Sequence, residues 1–208
     1  MLETLPRVHL TQDVNRFANL SHIGLLAVKK GLSIDEVKEV IAFSRDDVKR
    51  DLMKAPFQRK PFFGNRFGPV SRFSDGDWPV FYAAISRKTA EKESIHHYGR
   101  KAAGDTTARR PVHYSIVRCR FSGETVDLQP QLPDWPDLIS NDYTFCNGLG
   151  REAHDSGVGG FFAPSARDNG GTTVPALIEG TLSGAVIEAT ATLTFDIGQT
   201  SVEIRELP

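Results

Sequence analysis

The chain has 208 residues, 39% of them hydrophobic, a length that suits one sizeable core with an appendage better than two full domains. Its 25 basic and 26 acidic residues nearly cancel, so no overall electrostatic field would recruit nucleic acid or an acidic membrane surface, and any polyanion site must be local. Two cysteines without metal-ligand spacing, no secretory leader pattern and no long apolar run together predict a cytoplasmic protein with no membrane partner.

Residues 1–55 are predicted to form an N-terminal helical extension. Ser33-x-x-Glu36 is a capping-box pattern, and the apolar residues that follow it return at helical spacing. Ser44 offers a second cap, so two short helices are expected in this region. Pro56 ends them, because proline lacks an amide donor and disfavours helix in the residue before it.

Residues 31–52 resemble a helix-turn-helix, which would make the protein a DNA-binding regulator. However, Lys38 and Ala42 stand where such motifs usually have a small residue and a glycine. The second helix also balances three basic residues with three acidic ones, so it brings no net positive charge to a phosphate backbone. The residues favour a helical hairpin packed on the main domain, with DNA binding as the lesser alternative.

Residues 62–81 are unusually rich in phenylalanine, at positions 62, 63, 67, 73 and 81, and include two arginines. Aromatic faces suit the base of a nucleotide, and forked guanidinium groups suit its phosphates. The same composition also suits an ordinary core with arginines on the surface. Composition therefore leaves both interpretations open.

A helix over residues 86–99, capped by Ser86, carries two glutamates, of which only one can point into a cleft beside the preceding strand. Glu93 shares a helix face with His97, whereas Glu91 lies on the face of Ile95. Periodicity alone favours Glu91, because its face is the more apolar one.

Strands are predicted from continuous apolar runs or from strict alternation, at 79–85, 112–121, 124–128 and 187–195. The second and third would form a hairpin around Ser122-Gly123, and the last would pair with the terminal SVEIREL segment. A further helix is expected from after Asn141 to near Gly157. Since long helices between strands are scarce, the sequence predicts an α+β fold with a mixed or antiparallel β core and flanking helices.

Four segments follow one another in order between about residues 60 and 180: GNRFGP, SRFSDGDWPVFYAA, SRKTAEKES and GGFFAPSARDNGG. Together they resemble the signature segments of the RES domain, a family named for its Arg, Glu and Ser. The resemblance implies a RES catalytic domain over residues 56–208, with a fold related to ADP-ribosyltransferase toxins. It further implies an NAD+-consuming toxin of a type II toxin–antitoxin system, with a cognate Xre-like antitoxin that covers the active site.

The resemblance also assigns site residues, and its TAxxE pattern selects Glu93 over Glu91. It places catalytic roles on Arg72, Tyr82, Glu93 and Ser165, and substrate-binding roles on Arg66, Phe67, Arg72, Tyr82, Ser165 and Arg167. The arginines would clamp the pyrophosphate, Tyr82 would pack against nicotinamide or ribose, and Ser165 would orient the substrate. NAD+ is the substrate, and no metal is implied because nicotinamide is already a good leaving group.

The acceptor would decide the reaction. Inorganic phosphate gives phosphorolysis, water gives hydrolysis, and a protein side chain gives ADP-ribosylation. Degradation of NAD+ is favoured because no second glutamate is obviously placed to activate a protein acceptor. Glu91, two residues before Glu93, keeps the transferase open as the alternative.

Overall fold

The computed structural model describes residues 1–19, 53, 56–57, 70–104, 111–196 and 198–206. This part of the chain contains seven strands: β1 Arg7–Asn19, β2 Phe81–Ala84, β3 Val112–Asp127, β4 Gly160–Pro164, β5 Thr172–Ala176, β6 Leu182–Asp196 and β7 Gln199–Glu206. It also contains two α-helices, α1 Arg87–Gly104 and α2 Thr144–Asp155, and four short 3-10 helices, Leu2–Thr4, Gln129–Gln131, Pro136–Ile139 and Glu179–Thr181. The predicted α+β class is confirmed. None of the described helices combines the length and the apolar character needed to cross a membrane.

The strand pairings close on themselves. β1 runs antiparallel to β3 along its whole length and also pairs with β2. β2 pairs with β5, β5 pairs with β4, and β4 returns in parallel to β3. Five strands therefore form a ring, from which β6 and β7 extend beyond β3 as the antiparallel hairpin that the alternating sequence predicted.

The predicted N-terminal helical extension is wrong for residues 7–19, which form β1. Val14 is fully buried inside the ring, beside Phe81 on β2. This strand is stabilised by pairing with β3, a partner about a hundred residues away, and a local helical period could not reveal that pairing. The helices predicted around residues 33–52, and the helix-turn-helix alternative, lie outside the described residues.

The predicted hairpin around Ser122-Gly123 is also wrong, because residues 112–127 form the single strand β3. Ser122 and Gly123 pair with Thr11 and Leu10 of β1. A Cβ at Gly123 would lie only 2.7 Å from Cγ2 of Thr181, so glycine serves close packing here rather than a turn.

Helix α1 begins as predicted, with the amide of Thr89 donating to Ser86 Oγ at 3.0 Å. It continues past the predicted end at Gly99 to Gly104. A Cβ at Gly99 would lie 2.7 Å from Thr200 Oγ1, so this glycine allows the helix to approach β7 closely instead of ending it. The predicted helix after Asn141 is confirmed as α2.

Helix α2 packs closely against the loop that precedes β2, and we expect Gly150→Ala to disrupt this contact. A Cβ at Gly150 would lie 2.2 Å from the carbonyl oxygen of Phe73, so the loop would have to move. Overpacking of this kind costs about 1–3 kcal/mol. The free energy of unfolding, measured in urea, should fall by that order.

Gly148→Ala on the same helix is the matched control, because a Cβ there would meet none of the described atoms within 4 Å. Alanine is the better helix former by roughly 1 kcal/mol, so this control should be neutral or slightly stabilising. If Gly150→Ala were as stable as Gly148→Ala, the close contact between helix and loop would be refuted.

Candidate functional site

A cavity of about 330 Å³ opens between α1, the loop before β2 and the adjoining strands. Its size lies at the lower end of the range of small-molecule sites, about 300–1,000 Å³. Its charged lining residues are Arg16, Arg72 and Glu93, and its aromatic ones are Phe17, Phe73, Tyr82, Tyr114 and Tyr143. Two guanidinium groups and one carboxylate give these walls a positive balance, which favours an anionic ligand that also carries rings.

Glu93 lies on the cavity wall, and Ser165 anchors its carboxylate. Ser165 Oγ donates to Glu93 Oε1 at 2.6 Å and accepts the backbone amides of Arg167 and Asp168, each at 3.1 Å. Because the two amides use the acceptor capacity of the hydroxyl, its single proton is directed at the carboxylate. No described residue donates a hydrogen bond to Glu93 Oε2, which can therefore meet a ligand.

The structure places Glu93 on the cavity wall, and Glu91 is not part of that wall. Glu91 lies in the electrostatic field of Arg87 and helps to raise the pKa of that guanidinium, after the larger effect of its hydrogen bond to Glu206. The helical period favoured Glu91 because that residue lies on the more apolar face of the helix, but this face does not line the cavity. The apolar face that it shares packs on the sheet through Ile95 and Tyr98, and the cavity lies beside the more polar face.

Arg72 is 9% exposed and lines the cavity from the loop before β2. Its Nη1 donates to the carbonyl oxygens of Leu138 and Ser140, at 3.0 and 2.7 Å. Its guanidinium carbon lies 4.9 Å from the ring centre of Tyr143. Both of these hydrogen bonds use Nη1, and neither engages Nε or Nη2.

Tyr82 contributes its ring to the cavity wall, but its hydroxyl holds the loop that carries Arg72. The hydroxyl accepts the amide of Phe73 at 2.7 Å and donates to Ser71 Oγ at 3.0 Å. Burial raises the pKa of Tyr82 well above its ordinary value, so the hydroxyl remains a donor. In this structure Tyr82 therefore positions the loop in addition to lining the cavity.

Two further contributors escaped sequence reasoning. Asn147 on α2 donates through Nδ2 to the carbonyl oxygens of Ser71 and Arg72, at 2.6 and 2.8 Å, and so fixes the same loop. No sequence pattern marked Asn147 for this role. Arg16 of β1 places its guanidinium carbon 4.4 Å from the ring centre of Phe81, and recognising β1 as a strand would have brought this residue into view.

Of the remaining predicted residues, the structure describes Ser165 and Arg167, and neither of them lines the cavity. Arg66 and Phe67 lie outside the described residues. Ser165 reaches Glu93 from behind the wall, and the Nη2 of Arg167 donates to Asn141 Oδ1 at 2.6 Å. The backbone amide of Arg167 donates to Ser165 Oγ, so Arg167 also contributes to the site through its backbone. The described residues contain no group of three or more His, Cys, Asp or Glu side chains placed to hold a metal ion.

His96, three residues after Glu93, leads us to expect that the stability of the fold depends on pH. Burial, together with the positive charge of Arg167, lowers the pKa of His96 to about 4 from an ordinary 6.5. Its Nε2 is buried and accepts no hydrogen bond from a described residue. Above pH 6.5 the histidine is neutral in both states, whereas between pH 6.5 and 4 only the unfolded chain takes up the proton. The free energy of unfolding should therefore decrease as the pH is lowered from 6.5 to 4.

We expect His96→Gln to reduce the loss of stability between pH 7 and pH 5, as measured by urea unfolding at both values. His9→Gln, at an exposed histidine, is the control and should leave that loss unchanged. An equal loss in wild type and His96→Gln would contradict the assignment.

Comparison with known proteins agrees with the resemblance seen in the sequence. The RES domain family model matches residues 44–196. A search of curated proteins found no significant match. Among solved structures, a chain in the crystal structure of the M. tuberculosis MbcT–MbcA toxin–antitoxin complex aligns at a TM-score of 0.49 and 14% identity, over 99% of this chain and 89% of that one. The assignment rests on the family model, which spans most of the sequence and includes Arg72, Glu93 and Ser165: the chain belongs to the RES-domain family.

Proposed function

We propose that this protein is the toxin of a toxin–antitoxin pair and that it degrades NAD+ by breaking the nicotinamide–ribose bond. The observation that carries the proposal is the Glu93 carboxylate, anchored by Ser165 on the wall of a cavity that also holds Arg72. NAD+ joins a positively charged glycosidic centre to an anionic pyrophosphate. A carboxylate and a guanidinium in one cavity match both charges.

The reacting bond joins C1 of the ribose to the pyridinium nitrogen of nicotinamide. Its electron pair leaves with nicotinamide, which departs neutral, and the ribose takes on oxocarbenium-like positive charge. With Oε1 of Glu93 held by Ser165, Oε2 would hold the ribose hydroxyls or stabilise the developing charge. One such preorganised group typically contributes about 10²–10³ in kcat.

Arg72 would bind the pyrophosphate through its Nε and Nη2 groups. The bonds from Nη1 to the carbonyls of Leu138 and Ser140 hold the guanidinium in place before substrate arrives, which lowers the entropy cost of binding. The rings of Tyr82 and Tyr143 would offer faces to the nicotinamide or ribose.

Phosphate or water would then add to C1 of the ribose, giving the 1-phosphate of ADP-ribose or ADP-ribose itself. Degradation is favoured over transfer to a protein, because Glu91 lies beside Arg87 rather than on the cavity wall. The family resemblance extends the proposal to a cytoplasmic setting and to an Xre-like antitoxin that covers the cavity.

Incubating the purified protein, freed of any antitoxin, with adenine-labelled NAD+ tests this proposal. Reactions run with and without inorganic phosphate, and label in small molecules is separated from label on protein. We expect free nicotinamide, label confined to small molecules, and a product that identifies the acceptor. Label on protein would support the transferase instead, and no nicotinamide release under either condition would overturn the proposed enzyme.

A further inference from the structure

We infer that Asp168 is a positioning residue for the Ser165–Glu93 pair, and that it works by clamping the loop between β4 and β5 onto α1. The inference rests on the proposed function, because it concerns the carboxylate that would stabilise the transition state. It adds three side chains to the site, Thr89, Lys92 and Asp168, none of which lines the described cavity.

The carboxylate of Asp168 is buried and fully engaged by α1. Oδ2 accepts the hydroxyl of Thr89 at 2.8 Å, and Oδ1 accepts Nζ of Lys92 at 2.5 Å. Lys92 and Glu93 lie three and four residues after Thr89, so both are neighbours of Thr89 on the helix surface. The clamp and the glutamate that it serves are therefore carried by the same rigid element.

The backbone of Asp168 acts on Ser165 directly. Its amide is one of the two that donate to Ser165 Oγ, and its carbonyl oxygen accepts the amide of Gly171 at 2.7 Å. The carbonyl of Gly171 in turn accepts the amide of Ser165 at 2.8 Å. The side chain of Asp168 thus attaches the loop to α1, and backbone amides of the same loop direct the Ser165 proton at Glu93.

Gly171 allows this loop to lie close to the helix. A Cβ at Gly171 would lie 2.7 Å from Thr89 Oγ1 and 2.9 Å from the Cβ of Asp168. The hydrogen bond between Thr89 and Asp168 therefore needs glycine at this point. Two anchors then join the loop to α1, one through Asp168 and one through Ser165.

Loss of the clamp should affect the chemical step more than substrate binding. Without it, the amide of Asp168 can move away from Ser165 Oγ, the hydroxyl can rotate, and Glu93 Oε1 loses its fixed donor. Arg72, the proposed anchor of the pyrophosphate, lies on a different loop that Asn147 holds. A change in kcat with little change in KM is the signature of this arrangement.

Two substitutions at Thr89 and one at Asp168 test the inference, with nicotinamide release as the assay. Thr89→Val removes the hydroxyl but keeps the branched shape, and Asp168→Asn removes the charge. Both should lower kcat on the order of 10- to 100-fold, with KM within about 3-fold of wild type. Thr89→Ser, which keeps the hydroxyl, should have a kcat close to that of wild type. Asp134→Asn, at an exposed position, should also leave kcat unchanged.

Thermal unfolding of each variant separates positioning from simple stability. A variant that unfolds earlier but keeps wild-type kcat per folded molecule would overturn the inference. If Thr89→Val does not fold, Lys92→Gln and Lys92→Arg, at a half-exposed position, test the inference instead. Lys92→Gln loses the charge that pairs with Asp168 and should have the lower kcat, and an equal kcat in the two variants would overturn the inference. The proposed function fails separately, if wild type itself releases no nicotinamide.

Discussion

Glu93→Gln is expected to lower the rate of nicotinamide release by about 10²- to 10³-fold while leaving the protein folded. Glutamine has nearly the same shape, and its carbonyl oxygen can still accept the proton of Ser165. It carries no charge, however, and cannot stabilise positive charge on the ribose. NAD+ affinity, measured by calorimetry, should change by no more than a few-fold, and the urea midpoint should stay close to that of wild type.

Glu91→Gln is the matched control for this result, because it makes the same change on the same helix two residues earlier. We expect it to retain turnover and, when expressed in bacteria, to retain growth inhibition. Glu93→Gln should lose both. If Glu91→Gln abolished turnover and Glu93→Gln kept it, the catalytic carboxylate would be Glu91, as helical periodicity suggested, and the assignment of Glu93 would be wrong.

The second large effect is expected at Arg72, where Arg72→Lys should raise KM for NAD+ by about 10- to 100-fold. Lysine keeps the charge but loses the planar fork and the stacking on Tyr143. The loss of charge-assisted hydrogen bonds to a pyrophosphate is worth about 1.5–3 kcal/mol, which sets this magnitude. Initial rates over a range of NAD+ concentrations measure the change, and kcat should move less than KM.

Arg151→Lys controls for the structural part of that change. Arg151 also stacks on an aromatic ring, with its guanidinium carbon 5.0 Å from the ring centre of Trp78, and it also pairs with the turn before β2, through Asp75 and Asp77. It lies outside the cavity wall, so its replacement should alter stability without altering KM. If Arg72→Lys behaved in the same way, Arg72 would be a structural residue only.

The parts of the fold that could be predicted from sequence are those fixed by local patterns. Alternation from Ile187 to Phe195 predicted the buried face of β6, and Ser86 predicted the start of α1 through its hydroxyl. These features depend on neighbours in the chain. Tertiary structure did not have to be known for either.

The parts that could not be predicted depend on distant partners. β1 is a strand because β3 lies beside it, although its own residues show no strong period. Gly99 and Gly123 suggested an end and a turn, but each lies within an element and allows a close approach by Thr200 or Thr181. A glycine that permits packing and a glycine that permits a turn look alike in one sequence.

The same limit applies to the site. The ordered motifs named Glu93 and Ser165, but they did not show that Ser165 donates a hydrogen bond to Glu93 across 72 residues of sequence. They suggested a ligand role for Arg167, which stays a prediction, but they did not indicate the hydrogen bond from its guanidinium to Asn141. Asn147 and Asp168 carried no recognisable signal, because their function lies in holding loops that only the folded chain brings together.

The central claim is that this cavity breaks one particular bond, and NMR of unmodified NAD+ incubated with the wild-type protein tests it most directly. Proton signals of the nicotinamide ring should shift to those of free nicotinamide, while the phosphorus signals of the pyrophosphate remain those of an intact diphosphate. Glu93→Gln under the same conditions should leave both sets unchanged. Cleavage of the pyrophosphate with nicotinamide still bound to ribose, or no change with wild-type protein, would contradict the claim.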